Sequence, residues 1–235
     1  MSVDVLAIGA HPDDADLGVG GLLLKLAAQG QRTAILDLTQ GESGTRGTVV
    51  ERQQEAENAA QLLQLTQRDN AGLPDGALAD TLEQRTVVAD CIRRLQPKML
   101  LLPMVPDRHP DHEAAHHLCK SANFFAGVAG LKTAHASYRA AQTYFYHPYH
   151  QGKEQPTHIV DITAHFEEKL TALGAYKSQF YNKDYDGPET LVASKAFWND
   201  ITTRASYWGQ RIGVAYGEPV FAAGPEPFIW PIPGA

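Results

Sequence analysis

Short apolar runs alternate with longer segments of helical periodicity along the first half of the chain. Runs that are apolar on both faces are typical of buried parallel strands. The segments between them carry apolar residues at three- and four-residue spacing, as helices packed on a sheet do. The predicted strands are 3–8, 33–38, 68–73 and 99–102, and the predicted helices are 18–29, 48–63, 82–95 and 113–125.

This alternation of strand and helix predicts the class of fold. Alternating elements specify a parallel sheet with helices on both faces, so we predict an α/β protein with a Rossmann-like, doubly wound, mainly parallel sheet over residues 1–130. The pattern is looser over 131–235, which we interpret as a smaller C-terminal α+β extension of one single domain, 1–235. Its predicted elements are strands at 142–146 and 158–162, helices at 166–180 and 195–207, and an irregular tail from Glu218.

Composition narrows the class of protein. The 235 residues are 43% hydrophobic, which suits a full core, and a formal net charge of −7 without a Lys or Arg run argues against a nucleic-acid partner. Cys91 and Cys119 lie far apart within helical patterns, so we expect free thiols rather than a disulfide. The sequence has neither a signal-peptide pattern nor a membrane span, so we expect a cytoplasmic protein without a membrane partner.

A histidine and three acids occupy the turn between the first predicted strand and the first predicted helix. These residues are His11, Asp13, Asp14 and Asp16. Loop side chains at the carboxyl end of a parallel strand commonly converge on a ligand. One acidic residue can be explained as a helix cap, but capping does not explain the other two. The turn therefore predicts a functional site.

A second cluster has the same layout after the fourth predicted strand. The segment Asp107-Arg108-His109-Pro110-Asp111-His112 separates that strand from the helix at 113–125. In the common strand order 3-2-1-4, the first and fourth strands are neighbours, and the crevice between them is the usual ligand site. We therefore expect both clusters to face one crevice, as a metal or acid–base site.

The two clusters together supply ligands for a metal. A catalytic zinc usually has three protein ligands and one open position, which His11, one of Asp13 and Asp14, and one of His109 and His112 would satisfy. The remaining acid can then serve as a base for water and the remaining histidine as a donor to an oxyanion. Spacing alone does not decide between Asp13 and Asp14 or between His109 and His112 as ligands. The identity of the metal is also open, because Fe²⁺, Co²⁺ or Ni²⁺ suits a mixed nitrogen and oxygen site.

The paired clusters resemble the signature of the LmbE/PIG-L family of zinc-dependent N-acetylglucosaminyl deacetylases. Within that family the sequence is most similar to the bacillithiol-biosynthesis branch, whose members remove acetate from N-acetylglucosaminyl malate. The likeness rests on both clusters and covers most of the chain. It includes His11-Pro12-Asp13-Asp14, Asp16, Gly18, Asp37-Leu38-Thr39, Gly47-Thr48, Arg52, Leu73-Pro74-Asp75, Tyr176-Lys177-Ser178-Gln179-Phe180 and Gly213-Val214-Ala215-Tyr216-Gly217-Glu218.

The resemblance implies a role for each member of the two clusters. By this likeness His11, Asp14 and His112 bind Zn²⁺, and Asp13 is the general base. His109 stabilises the oxyanion or protonates the leaving amine. The resemblance further implies a small-molecule substrate containing N-acetylglucosamine and a homo-oligomer, with hexamers common among relatives.

Four further positions bear on the substrate and on the oxyanion. Arg52 and Arg108 match family positions that would hold sugar hydroxyls or the malyl carboxylates. Asp16 stands where many relatives have glutamate, and it can still support a ligand. Phe197 stands where some relatives offer a tyrosine hydroxyl, which leaves Tyr185 or Tyr207 as alternatives in this chain.

Three alternative functions compete with this hypothesis. The first is a nucleotide-binding oxidoreductase, because Gly18-Val19-Gly20-Gly21 and Asp37 resemble a dinucleotide fingerprint. Against it, Ala10-His11-Pro12 follows Gly9, where the backbone would have to approach a pyrophosphate. A non-catalytic carbohydrate-binding relative would usually have lost a ligand or the base, and all of them are present. A deacetylase of another N-acetylglucosamine conjugate, such as chitobiose or an inositol glycoside, remains the main alternative.

Overall fold

The computed structural model describes residues 2–149, 154–222 and 224. The helices and strands within these ranges alternate over the first half, as the apolar pattern predicts. They are β1 (Val5–Gly9), α1 (Asp14–Ala28), β2 (Thr33–Asp37), α2 (Val49–Leu62), β3 (Gln67–Asn70), α3 (Leu82–Leu95), β4 (Met99–Pro103), α4 (Pro110–Ala126), β5 (Gln142–Tyr146), β6 (His158–Asp161), α5 (Phe166–Leu173), α6 (Lys195–Gln210) and β7 (Gly217–Ala222).

One seven-stranded mixed sheet forms the centre of the molecule. Its order is β3-β2-β1-β4-β5-β7-β6, in which β3, β2, β1, β4 and β5 pair in parallel. The strand β7 runs antiparallel to both β5 and β6. The predicted α/β class and the predicted neighbourhood of the first and fourth strands are therefore confirmed.

The central strand β1 is buried on both faces, which explains its unbroken apolar run. Leu6 and Ile8 pack with residues of α3 and α4 on one face of the sheet, whereas Val5 and Ala7 pack with α1 and α5 on the other. Two cores, one on each face, are the physical basis of the doubly wound arrangement. They leave the carboxyl ends of the strands free to present loops.

The C-terminal part differs from its predicted pattern in two places. The helix predicted at 166–180 ends at Leu173 because Gly174 closes it. The turns that follow let Tyr176 and Phe180 pack inward, where both are buried. The tail predicted as irregular from Glu218 instead begins with β7, and its residues 223 and 225–235 lie outside the described part. Strands from both halves share one sheet, while the division at residue 130 remains an interpretation.

Helix α1 is interrupted near its middle and held there by distant residues. Val19 has φ −138° and ψ 17°, outside the helical range. Lys169 Nζ donates to the Leu17 carbonyl at 2.7 Å, and the Glu218 carboxylate accepts the N–H groups of residues 21 and 22 at 2.8 and 2.7 Å. The buried Lys169 and Glu218 also pair at 2.6 Å. Residues of α5 and β7 therefore fix where α1 resumes.

No helix in the described ranges is both long and apolar enough to cross a lipid bilayer.

Candidate metal and acid–base site

The two clusters meet in one cavity of about 530 Å³ at the carboxyl ends of β1 and β4. This is the crevice at which the strand order reverses, and both turns project into it. Its lining combines histidines and acids with apolar side chains. The lining includes His11, Asp13, Asp14, Leu17, Arg52, Asp75, Asp107, Arg108, His109, Asp111, His112, Tyr149, Phe180, Leu191, Val192 and Phe197.

Asp14 lies between two imidazole rings at the floor of this cavity. Its Oδ2 is 3.4 Å from His11 Nδ1, and its Oδ1 is 3.2 Å from His112 Nε2. The Oδ2 atom also accepts the backbone N–H of His11 at 2.9 Å, which fixes the carboxylate in this position. The third ring, His109, lies with its centroid 4.8 Å from those of both His11 and His112.

Three further carboxylates surround the histidines. His11 Nε2 is 3.1 Å from Asp75 Oδ1 and 3.3 Å from Asp111 Oδ2. His112 Nδ1 is 3.1 Å from Asp107 Oδ1. The His11, Asp75 and Asp111 group and the His11, His109 and His112 group each bring three potential ligand atoms close enough for one ion.

The charges of these groups favour a bound cation. Burial alone would lower the histidine pKa values, but Asp14 and Asp75 raise the pKa of His11 to about 11, and Asp14 and Asp107 raise the pKa of His112 to about 10. The cluster thus stabilises positive charge, which a divalent metal would supply while leaving both rings neutral. Two imidazoles and a carboxylate therefore fit a divalent metal by both chemistry and charge.

Asp13 adjoins Asp14 but faces a different set of neighbours. Its backbone has φ 115°, a strained conformation for a residue other than glycine. Burial is the main reason why its pKa is raised to about 7, and the nearby Asp14 acts in the same direction against Arg52. In contrast, although burial acts to raise it, the pKa of Asp14 is held well below its ordinary value by His112 and His11. The two adjacent carboxyls therefore differ in proton affinity.

Arg52 lies beneath the turn that carries Asp13. Its terminal nitrogens donate to the Gly41 carbonyl at 3.0 Å and to the Pro12 carbonyl at 2.9 Å, and one of them is 3.6 Å from Asp13 Oδ2. The side chain is only 5% exposed although it lines the cavity. Arg52 thus binds two loops together, and its predicted contact with substrate stays a prediction.

His109 forms the N-cap of α4. Its Nδ1 accepts the backbone N–H of Asp111 at 3.2 Å, so the proton of the neutral ring belongs on Nε2. Burial, followed by the neighbouring His112 and His11, lowers its pKa, which keeps the ring neutral. A neutral ring with Nε2–H can donate a hydrogen bond but has no second proton to give away.

Arg108 stands at the mouth of the cavity. It is exposed, and within the described part of the chain its guanidinium takes part in no hydrogen bond or ion pair. The apolar part of the lining includes Phe197, which stacks on Tyr149 at 4.7 Å between centroids. The Tyr149 hydroxyl donates a hydrogen bond to Asp200. Neither Tyr185 nor Tyr207 is among the residues that line the cavity.

Asp16 lies one helical turn from Asp13 but does not reach the histidines through any described hydrogen bond. Its two oxygens accept hydrogen bonds from Arg68 Nη1 and Nη2, both at 2.9 Å. Arg68 also donates hydrogen bonds to Asp37. Asp16 is fully buried, so this pairing ties α1 to the end of β2. Its predicted support of a ligand is thus indirect at most.

The sequence motifs assign no role to three carboxylates that contact the histidines. Asp107 and Asp111 stand in the second cluster, and Asp75 follows β3 within the motif Leu73-Pro74-Asp75. The strand order was the available signal, because β3 lies on the β2 side of β1 and its following loop reaches the same edge. Spacing within the motifs could not show which ring nitrogen each carboxylate meets.

Comparison with known sequences supports the family suggested by the motifs. The profile of the family described as PIG-L, GlcNAc-PI de-N-acetylase, matches residues 6–123, which contain both clusters. The diacetylchitobiose deacetylase of Thermococcus kodakarensis is 31% identical over 234 residues, covering 91% of this chain and 80% of that protein.

Solved structures with the same fold include proteins of different activity. The conserved protein TT1542 from Thermus thermophilus superposes with a TM-score of 0.87 at 36% identity, covering 97% of both chains. The N,N'-diacetylchitobiose deacetylase of Pyrococcus horikoshii has a TM-score of 0.78 at 26% identity, covering 93% of this chain and 83% of that one. A 4-carboxy-2-hydroxymuconate hydratase from Pseudomonas putida KT2440 has a TM-score of 0.78 at 22% identity, covering 98% and 99%. The fold alone therefore does not specify the reaction.

Proposed function

This chain belongs to the PIG-L family of de-N-acetylases, and from that premise we propose that it is a divalent-metal-dependent hydrolase that removes acetate from an N-acetylglucosamine conjugate. The observation that carries the proposal is the pair of adjacent carboxyls. Asp14 lies between two imidazoles, while Asp13, whose pKa is about 7, is left to exchange a proton.

The proposed ligands are His11, Asp14 and His112, with zinc as the first candidate. A divalent metal held there would supply Lewis acidity to the amide carbonyl and would help to activate the attacking water. Two neutral imidazoles and one carboxylate are a common ligand set for catalytic zinc.

Asp13 is proposed to accept the proton of the attacking water. A base is most effective when its pKa lies near the working pH, and the burial of Asp13 brings it there. The C–N bond then breaks, acetate leaves, and the proton held by Asp13 passes to the departing amine. His109 is unsuited to that last step. Its Nδ1 accepts the Asp111 N–H, so the ring cannot take up a second proton at that nitrogen.

His109 is proposed instead to donate its Nε2–H to the oxyanion. The family likeness left two roles open, and the capping hydrogen bond favours this one. A neutral donor in place before the reaction stabilises developing negative charge without having to reorganise. Phe197, which also lines the cavity, offers no hydroxyl for the same purpose.

The proposed substrate is N-acetylglucosaminyl malate. Malate carries two carboxylates, and Arg108 stands exposed at the cavity mouth without an intramolecular partner among the described residues. A guanidinium in that position suits a planar acid. Diacetylchitobiose is the second candidate, because a relative with 31% identity is named as a deacetylase of that disaccharide.

A substrate panel tests this proposal. Purified protein is incubated with N-acetylglucosaminyl malate, diacetylchitobiose, an N-acetylglucosaminyl inositol glycoside and free N-acetylglucosamine, and released amine and acetate are measured. We expect the highest kcat/KM on the malyl conjugate, reversible loss on chelation and equimolar acetate and amine. Highest activity on diacetylchitobiose would favour the second candidate. Absence of acetate from all four, or full activity without metal, would refute the proposed function.

A further inference from the structure

The shared carboxylate of Asp14 distinguishes the two nitrogens of each histidine. It faces Nδ1 of His11 and Nε2 of His112, so a metal held by Asp14 would draw on different nitrogens of the two rings. This leaves Nε2 of His11 and Nδ1 of His112 on the outer sides. A neutral imidazole has one proton, and a ligand nitrogen must be the one without it.

The outer nitrogen of His11 meets two anchored carboxylates. Its Nε2 lies 3.1 Å from Asp75 Oδ1 and 3.3 Å from Asp111 Oδ2. Asp75 is fixed by the Ser43 N–H at 2.8 Å, and Asp111 by the Gly76 N–H at 2.7 Å. Because backbone donors hold both carboxylates, they can set the orientation of the ring rather than follow it.

The outer nitrogen of His112 meets a single carboxylate. Its Nδ1 lies 3.1 Å from Asp107 Oδ1, an ion-pair distance at which the N–H is poorly aligned. As a result this buried nitrogen has no hydrogen bond of good geometry within the described ranges. Asp107 Oδ1 is itself held by the His109 N–H at 2.8 Å.

We propose that Asp107 and the pair Asp75 and Asp111 are positioning residues that fix the two metal-ligating histidines in opposite tautomers. His11 keeps its proton on Nε2 and presents Nδ1, whereas His112 keeps its proton on Nδ1 and presents Nε2. A carboxylate behind each ring orients it and increases the basicity of the ligand nitrogen. This inference rests on the ligands named in the proposed function.

The same criterion separates His109 from the two ligands. Distance alone groups its ring with those of His11 and His112. Behind His109, however, the outer contact is the Asp111 backbone N–H, a donor rather than a carboxylate. A donor there places the proton on the cavity side, which makes His109 a hydrogen-bond donor and not a ligand.

Zinc affinity tests the positioning role without any substrate. Metal-free protein is titrated with Zn²⁺ in competition with a chromophoric chelator. We expect Asp107→Asn to weaken zinc binding by about 10- to 100-fold, the usual effect of losing such a partner. Asp75→Asn or Asp111→Asn alone should weaken it less, because the other carboxylate remains on Nε2, and the double variant should match Asp107→Asn.

The matched control is Asp90→Asn on α3. Asp90 contacts His135 Nδ1 at 2.9 Å, so this change removes a carboxylate–histidine pair of similar length that does not line the cavity. Its zinc affinity should equal that of the parent. Parent affinity in both Asp107→Asn and the Asp75→Asn/Asp111→Asn double variant would overturn the positioning role.

The tautomers can be read directly on the parent protein, which avoids any variant that fails to fold. In zinc-loaded protein labelled with ¹⁵N-histidine, NMR should show the proton of His11 on Nε2 and that of His112 on Nδ1. The opposite assignment for either ring would overturn the inference. Failure to hydrolyse any panel substrate, with these tautomers present, would refute the proposed function and leave the inference intact.

Discussion

The two strand–turn–helix units that build the cavity look alike in sequence but are held in different ways. In β4–α4, His109 caps the helix, Pro110 opens its first turn and the helix continues unbroken to Ala126. In β1–α1, the helix follows a strained Asp13 and is interrupted at Val19. Local signals thus account for β4–α4, whereas β1–α1 needs contacts from elsewhere in the chain.

Those contacts come from four other elements of the fold, α2, β3, α5 and β7. Arg52 on α2 donates to Pro12 and lies near Asp13, and Arg68 on β3 binds Asp16. The Lys169 and Glu218 pair holds α1 at its interruption. The residue proposed as the base therefore sits in the unit that is specified least by its own sequence. Strain at such a position persists only where the surroundings impose it.

The largest effect should come from separating the two carboxyls of β1–α1. Asn at position 13 cannot accept a proton, so Asp13→Asn should retain metal while kcat falls by about 10²- to 10⁴-fold. Asp14→Asn should instead lose metal, because two histidines alone fall short of the usual three ligands. Metal content and turnover are measured on the same samples, with and without added zinc.

The pH profile offers a check on the same assignment. Asp13 must be ionised to accept a proton, and burial raises its pKa to about 7. Turnover of the parent should therefore fall as pH decreases through this region, and the residual turnover of Asp13→Asn should lack that acid limb. Metal loss from Asp13→Asn with retention in Asp14→Asn would reverse the two roles.

The dependence of β1–α1 on distant residues should appear in stability. Lys169→Met would leave the buried Glu218 carboxylate without its cation, a change that typically costs about 3–5 kcal/mol. The control is Lys98→Met, which removes a 2.9 Å pair with Asp4 from a lysine that is 74% exposed. That loss should be about 0–1 kcal/mol. Denaturant unfolding compares the two, and equal losses would contradict external support of α1.

The contrast between the units also explains how much the sequence could predict. The helix at 82–95 and the strand at 142–146 have the predicted bounds because propensity, caps and apolar spacing agree there. The meeting of the two clusters followed from strand order. By comparison, β7 contains Pro219 in a proline-rich segment and was predicted as irregular. Its pairing with β5 and β6 depends on partners far away in sequence, which local patterns do not report.

Within the site, residue type was predictable and orientation was not. The histidines and acids were identified from their motifs, but the partner of each ring nitrogen depends on loops after three different strands. Arg52 was expected at the substrate, and its carbonyl partners Gly41 and Pro12 could not be found from spacing. Spacing predicts which loops meet, and three-dimensional packing decides which atoms do.

His109 permits a test of the β4–α4 unit in which helix capping and catalysis are separated. Asn is a good N-cap but lacks a ring nitrogen that reaches into the cavity, so His109→Asn should keep stability while kcat falls by about 10²- to 10³-fold. His109→Ala should show the same loss of turnover and also lose about 1 kcal/mol of stability. Near-parent turnover in His109→Asn would exclude the donor role.

The smallest expected effects come from the two arginines. Arg108 belongs to the β4–α4 unit, and Arg52 supports the β1–α1 unit. Arg108 has a free guanidinium within the described structure, so Arg108→Ala should cost about 1.5–3 kcal/mol in kcat/KM on N-acetylglucosaminyl malate, as for a charged hydrogen bond. Diacetylchitobiose has no carboxylate, so its kcat/KM should stay unchanged. Arg52→Ala should instead reduce kcat/KM on both substrates to a similar degree, because the guanidinium holds the turn that carries Asp13. If Arg108→Ala affects both substrates equally, Arg108 contacts the sugar rather than the malyl group. If Arg52→Ala affects only the malyl substrate, the predicted substrate contact of Arg52 holds and its structural role is secondary.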